Sequence, residues 1–298
     1  MCADLAEASL EAPISCPVGA EVFVPPGHPF EQRTWGRRPD GKILTTVPSP
    51  PPLSECPGNR LIIFREFSDT DLPTLSAAIG EPAYAALIDT ETQYYRAAWL
   101  ARRLNPTSIE AAELMMKATW ETAEESSRRS RYLSEFARYV SELPSNTEDL
   151  AWIELSLRAA NAMRELHDYD RALQFLANVP RGLLDVVVPE EIHIDVTERG
   201  YGIANSDAIQ EAERRRDLLR LLDNLSAAVQ RRDSSIELLE LLFPSATAWR
   251  CMEFSASELS TSPAREACSS AEVQRWIEVY NSNGTGPRRG ARNNTSRH

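Results

Sequence analysis

Histidine is scarce in this chain: there are four in 298 residues, one of them the terminal His298. Few imidazoles are therefore on hand for general acid-base work. There is no G-x-S-x-G turn to present a serine nucleophile and no Gly-rich loop to cradle a phosphate. Acidic pairs such as Glu124-Glu125 and Glu190-Glu191 are present, but sequence neighbours diverge on a helix and read as surface charge. No uninterrupted apolar run approaches the length that spans a bilayer. The opening residues MCADLAEASLEAP carry acids where a secretory signal has its basic stretch, so the expectation is a cytoplasmic protein with no membrane partner. The five cysteines, Cys2, Cys16, Cys56, Cys251 and Cys268, are odd in number and scattered. They predict reduced thiols rather than a disulfide framework.

Hydrophobic residues make up 42% of the chain and charged ones 26%, the balance of a folded globular protein. The formal net charge of -12 makes the body a poor partner for polyanions, since phosphate contacts need clustered Lys and Arg. The last residues are the exception: Arg288, Arg289, Arg292 and Arg297 sit in a Gly-rich stretch that has no acid. Residues 283–298 are expected to form a disordered basic tail. That tail motivates an alternative reading as a nucleic-acid-associated protein.

Residues 1–68 hold eleven of the twenty prolines. Short apolar stretches here, Val22-Phe23-Val24 and Leu61-Ile62-Ile63-Phe64, read as strands, with Val22, Phe23, Leu61, Ile63 and Phe64 buried against helices. The Pro-rich run from Val47 to Pro52 reads as a stiff connector. Two segments match each other, Cys16-Pro17-Val18-Gly19 and Cys56-Pro57-Gly58-Asn59. A structural zinc ribbon presents C-x-x-C on two such knuckles, because tetrahedral zinc takes four ligands. Here Gly19 and Asn59 stand in place of the second cysteines. Even with His28 recruited, Cys16 and Cys56 make at most three ligands, so no zinc is expected.

With Trp35, Asp40-Gly41-Lys42, Pro48 to Pro52 and Leu53-Ser-Glu-Cys56-Pro57 following in order, residues 14–67 resemble a family of uncharacterised bacterial proteins. That family has a CPxCG ribbon, a W-x-D-G-K segment, a PxPP stretch, a second CPxCG and a helical tetratricopeptide-like remainder. The resemblance implies a ribbon-like module, degenerate here, followed by a helical scaffold. It brings no known activity.

From residue 69 the pattern is helical. Asp71-Leu72-Pro73 reads as a helix start, and Glu81-Pro82 opens a helix that could run to Leu104. Further helices follow from Thr107 or Ser108 and up to Leu143. The segment Asp149 to Pro180 reads as a helical hairpin. Its first helix is apolar on two sides, through Trp152, Leu155, Ala159, Met163 and Leu166 and through Leu150, Ile153, Leu157 and Ala160. Such a helix needs neighbours on both sides. Ala160 reads as its close-approach position and Arg164 as lying on its more exposed side. Ala160 and Ala172 at the small positions and Tyr169 at the turn give one degenerate tetratricopeptide-like unit, which departs in having Ser156 where the pattern often has Trp and in its early Pro180, with no clear second copy. A long helix is expected from Asp207 to about Arg231, another carrying Ile236 to Leu242 before Pro244, Ser-rich chain with Trp249 and Phe254 as anchors after it, and a final helix from Ala271 to Tyr280. Glu190-x-x-His193 lacks the second histidine of a zinc helix.

The resulting expectation is a mainly α fold, with an irregular helical-hairpin body over residues 69–282 and a small β-rich module over residues 1–68. No catalytic, cofactor-binding or metal-binding residue is assigned. The function expected is a non-enzymatic scaffold for an unidentified protein or peptide, with nucleic-acid association or an unrecognised enzyme site as alternatives.

Overall fold

The computed structural model describes residues 12–19, 21–25, 27, 34–124, 126–187, 194–197, 200–203, 206–254 and 265–284. The chain is mainly α, and among the described residues the strands form two-stranded sheets. It divides into two compact units. The first comprises Met1–Thr34 and Thr45–Pro144, and the second comprises Trp35–Leu44 and Ser145–His298. This partition departs from the expected 1–68 and 69–282 segments, because a ten-residue piece of the Pro-rich region belongs with the later helices.

In the first unit, β1 (Ile14–Ser15) pairs antiparallel with β2 (Val22–Phe23), and β5 (Ser54–Glu55) with β6 (Ile62–Ile63). Five helices follow: α1 (Leu72–Ile79), α2 (Pro82–Thr90), α3 (Gln93–Leu104), α4 (Ile109–Trp120) and α5 (Ser127–Glu142). Pro at the first turn starts α1 and α2, where its missing N–H would be unpaired in any case. Ser126 caps α5 by accepting from the Arg129 N–H. The single helix expected from Pro82 to Leu104 is instead two. Glu91 and Thr92 are extended, and the Thr92 hydroxyl accepts from the Tyr95 N–H to restart the helix. The break is held by tertiary contacts, because the Glu91 carboxylate accepts from the Tyr132 hydroxyl at 2.6 Å and from Arg131 at 2.7 and 2.8 Å. No glycine or proline marks it.

The core of this unit contains Leu61, Ile62, Leu75, Leu100, Met115 and Phe136. Val22, expected inside, is 65% exposed, while its counterpart Ile62 is fully buried. The second hairpin is fastened to α3 by a buried Arg96, whose two terminal nitrogens donate to the Glu55 carboxylate at 3.0 and 2.9 Å. Such a forked pair is among the stronger side-chain contacts. Burial raises the Glu55 pKa, but the hydrogen bonds and charge of Arg96, with Arg60 and Gln93, outweigh it and hold the carboxyl below its ordinary value. The Pro-rich connector lies along the same helix, with the Tyr94 hydroxyl donating to the Pro51 carbonyl at 2.9 Å and the Leu53 N–H to Gln93 at 3.0 Å.

The second unit is built on α6 (Leu150–Glu165), which is buried on nearly every side. Helices α7 (Tyr169–Ala177) and α9 (Ser206–Gln230) pack on it, and the short α8 (Arg181–Leu184) packs on α9. The two apolar stripes read from the sequence are therefore both covered. Asp149 and Asp168 cap α6 and α7, accepting from Ala151 and Arg171. Helix α6 ends with His167 in the left-handed region, the His167 N–H on the Arg164 carbonyl and the Asp168 N–H on the Met163 carbonyl. Helix α9 ends the same way through Arg232, with the Asp233 N–H on Ala228. Both are the six-to-one closure that glycine usually makes.

Arg164 lies on the covered side of α6 and is fully buried, contrary to the exposed position expected for it. It donates to Asn161 Oδ1, to the Asp233 carbonyl at 2.5 Å and to the Ser235 carbonyl at 2.8 Å, so the loop after α9 is pinned to α6. Burial pulls its pKa down from the usual guanidinium value. Arg158 is treated likewise: it donates to the Pro39 carbonyl at 2.8 Å and to Glu154 at 3.0 Å.

Pro39 sits at the tip of a hairpin formed by β3 (Thr34–Arg37) and β4 (Ile43–Thr45). The tip is fixed by a buried Arg38–Asp40 ion pair at 2.6 Å, by Asp40 accepting from the Lys42 N–H, and by Gly41 at φ +89°. Gly36, at φ +156°, bridges to Leu242, and a Cβ there would stand 2.9 Å from the Leu242 Cδ2.

Strand β7 (Ile194–Thr197) pairs antiparallel with β8 (Gly200–Ile203). The helix expected before Pro244 is a single 3-10 turn at Leu239–Leu241, and α10 (Pro244–Glu253) begins where that helix was expected to end. Pro244 lacks an N–H and is better placed at a first turn than after a last one. Helices α11 (Arg265–Ser269) and α12 (Ala271–Asn283) complete the unit, α12 closing on Gly284 at φ +62°.

Candidate functional site

Two features stand out from the packing of the helices. The first is the pair of hairpins at the start of unit one. Their strands share one register: Ile14 pairs with Phe23 and Ser15 with Val22, as Ser54 pairs with Ile63 and Glu55 with Ile62. The knuckles between the strands repeat too, since the Cys16 N–H donates to the Glu21 carbonyl at 2.8 Å and the Cys56 N–H to the Leu61 carbonyl at 2.9 Å. Every one of these positions has its counterpart forty residues on.

The knuckles face each other. Cys16 and Cys56, both buried, are joined in a disulfide. Asn59 Nδ2 donates to the Val18 carbonyl, and the Gly58 N–H donates to Glu21 Oε2 at 3.1 Å. A Cβ at Gly58 would stand 1.7 Å from the Glu21 carboxylate, so any larger residue there would have to push that side chain aside. Gly19, at φ +119°, lies against Asn59, whose Nδ2 is 3.6 Å from the place of a Gly19 Cβ.

The donor set does not fit a metal. The two sulfurs are bonded to each other, Gly19 offers no ligand atom, the Asn59 amide is turned to donate, and Glu21 is engaged by Gly58. Among the described residues no group of three His, Cys, Asp or Glu side chains is placed to hold one.

A second disulfide joins Cys251 on α10 to Cys268 on α11. The reduced thiols expected from an odd, scattered set are thus overturned for four of the five cysteines, and Cys2 lies outside the described residues. The partners come together by tertiary approach across forty and seventeen residues, which linear spacing does not reveal.

The second feature is an aromatic shelf on the last helices of unit two. The Trp249 ring meets Tyr280 edge-on at 5.7 Å between centroids, and Trp276, one turn before Tyr280, lies 5.9 Å from it. Below them is a core of Leu239, Leu242, Ala246, Ala248, Cys251 and Val273. The shelf itself faces outward: Trp249 is 37% exposed, Trp276 38% and Val279 37%. The Tyr280 hydroxyl donates to the Ser245 carbonyl at 3.2 Å and so locks α12 to α10. Sequence reading took Trp249 for an anchor in irregular chain. The signal it passed over was the spacing of Trp276, Val279 and Tyr280, which puts three large side chains on one side of a helix.

Glu124 is exposed, and Glu125, His28, Glu190, Glu191, His193 and the arginines of the tail lie outside the described residues. Among the described residues no helix is long and apolar enough to cross a membrane. No protein-family model matches this chain, nor does any curated protein or solved structure.

Proposed function

We propose that this protein is a non-enzymatic scaffold that holds another protein or peptide, and that the shelf of Trp249, Trp276, Val279 and Tyr280 is where it does so. The observation that carries the reading is the exposure of large aromatic side chains side by side on a surface built rigidly from below. Tryptophan and tyrosine are enriched among the few residues that dominate binding at protein interfaces, because they bury much area while losing few rotamers. Adjacent exposed aromatics on a folded surface mark a contact site more often than isolated ones do. The disulfide between α10 and α11 fixes the platform further.

The compartment is part of this proposal. A cytoplasmic address is proposed, and the two disulfides, which persist better in an oxidising compartment, weigh against it. Thiol alkylation in intact cells, before lysis, distinguishes the two.

The test is affinity capture with the native full-length chain and with a Trp249→Ser/Trp276→Ser variant, after nuclease treatment and with cross-linking mass spectrometry. The scaffold reading expects a protein cross-linked to α10 or α12 that the variant loses while its circular dichroism stays unchanged. Capture that survives in the variant, or that nuclease abolishes, refutes it.

A further inference from the structure

We propose that the paired knuckles form a four-position metal-type centre that a Cys16–Cys56 disulfide closes in place of an ion, leaving it shut to metal in this chain and opened to metal by substitution at positions 59 and 19. Three observations carry this. The hairpins repeat with one register, and the Cys16 N–H bond to the Glu21 carbonyl recurs forty residues on as that of Cys56 to Leu61. That is the way a tetrahedral thiolate site is assembled, two ligands from each of two like turns. The first ligand position of each knuckle is a cysteine, and these two meet. The fourth residue of each knuckle, Gly19 and Asn59, also meet each other. Four positions therefore converge, two by two, on one place.

What a metal would do there is done by other means. A structural ion joins two turns that have little surface of their own to bury. Here the joining is one covalent bond, the Asn59 amide on the Val18 carbonyl and the Glu21 carboxylate on the Gly58 N–H. The burial pattern shows why a join is needed: in the second hairpin Leu61 and Ile62 are fully buried, whereas in the first Val22 and Val24 are exposed. The first knuckle has little apolar contact to keep it in place.

The bond forms by exchange. A Cys16 or Cys56 thiolate attacks a small-molecule disulfide and releases its first thiol, and the other cysteine then attacks the protein sulfur of the mixed disulfide and displaces the second thiol. The two thiols lose two protons and two electrons, and the oxidant leaves as two thiols. Since both sulfurs are buried, the reverse attack requires the knuckles to open first.

The experiment uses the full chain. Non-reducing peptide mapping of the wild type should recover a Cys16–Cys56 linked peptide, with no stoichiometric zinc by elemental analysis. Reduction, or Cys16→Ser/Cys56→Ser, should lower the melting temperature by several degrees and speed proteolysis before residue 34. Added zinc should rescue neither. Asn59→Cys, kept reduced, should gain zinc binding and thiolate-to-cobalt absorption, and Gly19→Cys/Asn59→Cys should bind more tightly. Because the backbone at Gly19 disfavours a side chain, the single variant decides the matter if the double one misfolds. Stoichiometric zinc in the wild type overturns the proposal. Unlinked Cys16 and Cys56 in protein handled without reductant overturn it as well, as does a folded Asn59→Cys variant that takes up no more metal than reduced wild type.

Discussion

Arg164→Ala is expected to destabilise the second unit by about 3–5 kcal/mol, in the range seen when one partner of a buried charged contact is removed. The magnitude can be built from its hydrogen bonds. Truncation removes every donor from Asn161 Oδ1 and from the Asp233 carbonyl, both in buried residues. Each orphaned acceptor of that kind costs about 1–3 kcal/mol. The Ser235 carbonyl is closer to the surface and regains water, so it adds little. The space left by the side chain adds roughly 24 cal/mol per Å³ that does not collapse. Working the other way, the desolvation that lowers the Arg164 pKa disappears with the charge. In urea, with a slope of about 3 kcal/mol/M, the midpoint should fall by about 1–1.7 M. Arg164→Lys should fall between, since an ammonium keeps the charge but cannot fork across acceptors on two elements. Melts followed by far-ultraviolet circular dichroism measure both. A change of about 0.5 kcal/mol or less for Arg164→Ala, the value typical of exposed sites, would refute the account of this residue.

Ala160→Arg should unfold the second unit or weaken it by several kcal/mol, about what an unpaired buried charge costs, because Ala160 is fully covered; a wild-type melt would contradict this. Glu55→Gln should lower stability at neutral pH. As the folded-state pKa of Glu55 is depressed, its contribution is present above the ordinary carboxyl value and is lost as pH falls through the folded one. The gap between wild type and variant should therefore close on acidification, and a gap that widens would refute the Arg96 pairing. Gly36→Ala should cost about 1–3 kcal/mol, typical of overpacking with backbone strain, and a neutral result in denaturant melts would mean that the hairpin does not approach Leu242 as described.

The helical part of the fold was legible where periodicity and capping spoke together. Both stripes of α6, the carboxylates of the turn that opens α7, and the start of the last helix follow from side-chain spacing and from the chemistry of helix ends, while that helix runs three residues past the expected Tyr280. What was hidden depends on partners remote in sequence. Arg164 continues the second apolar stripe, four residues after Ala160 and seven after Leu157, but its charge reads as exposed unless one knows that the Asp233 and Ser235 carbonyls, about seventy residues away, will surround it. The interruption at Glu91 and Thr92 carries no breaker residue, since Tyr132 and Arg131 hold it from another helix. The likeness of the two knuckles was visible in their residues. That their lone cysteines bond to each other was not, because composition speaks of redox compartment and not of distance. The aromatic shelf is half visible in the sequence: Trp249 reads as an anchor, but in Ser-rich chain rather than on a helix, and nothing local says that it meets Tyr280.

The hairpin of residues 35–44 has a consequence for how this protein can be taken apart. The chain begins in the first unit, visits the second for ten residues, returns to the first and leaves it for good only after Pro144. Neither unit is one continuous stretch, so no single cut yields a whole one. A fragment starting at residue 69 would keep every helix of the second unit yet lose the carbonyl that Arg158 holds and the glycine that lies on Leu242. Recombination at one crossover would exchange a broken half for a broken half. Only the grafting of Trp35–Leu44 onto the start of a fragment beginning near Ser145, through a designed linker, would reunite the second unit in one piece.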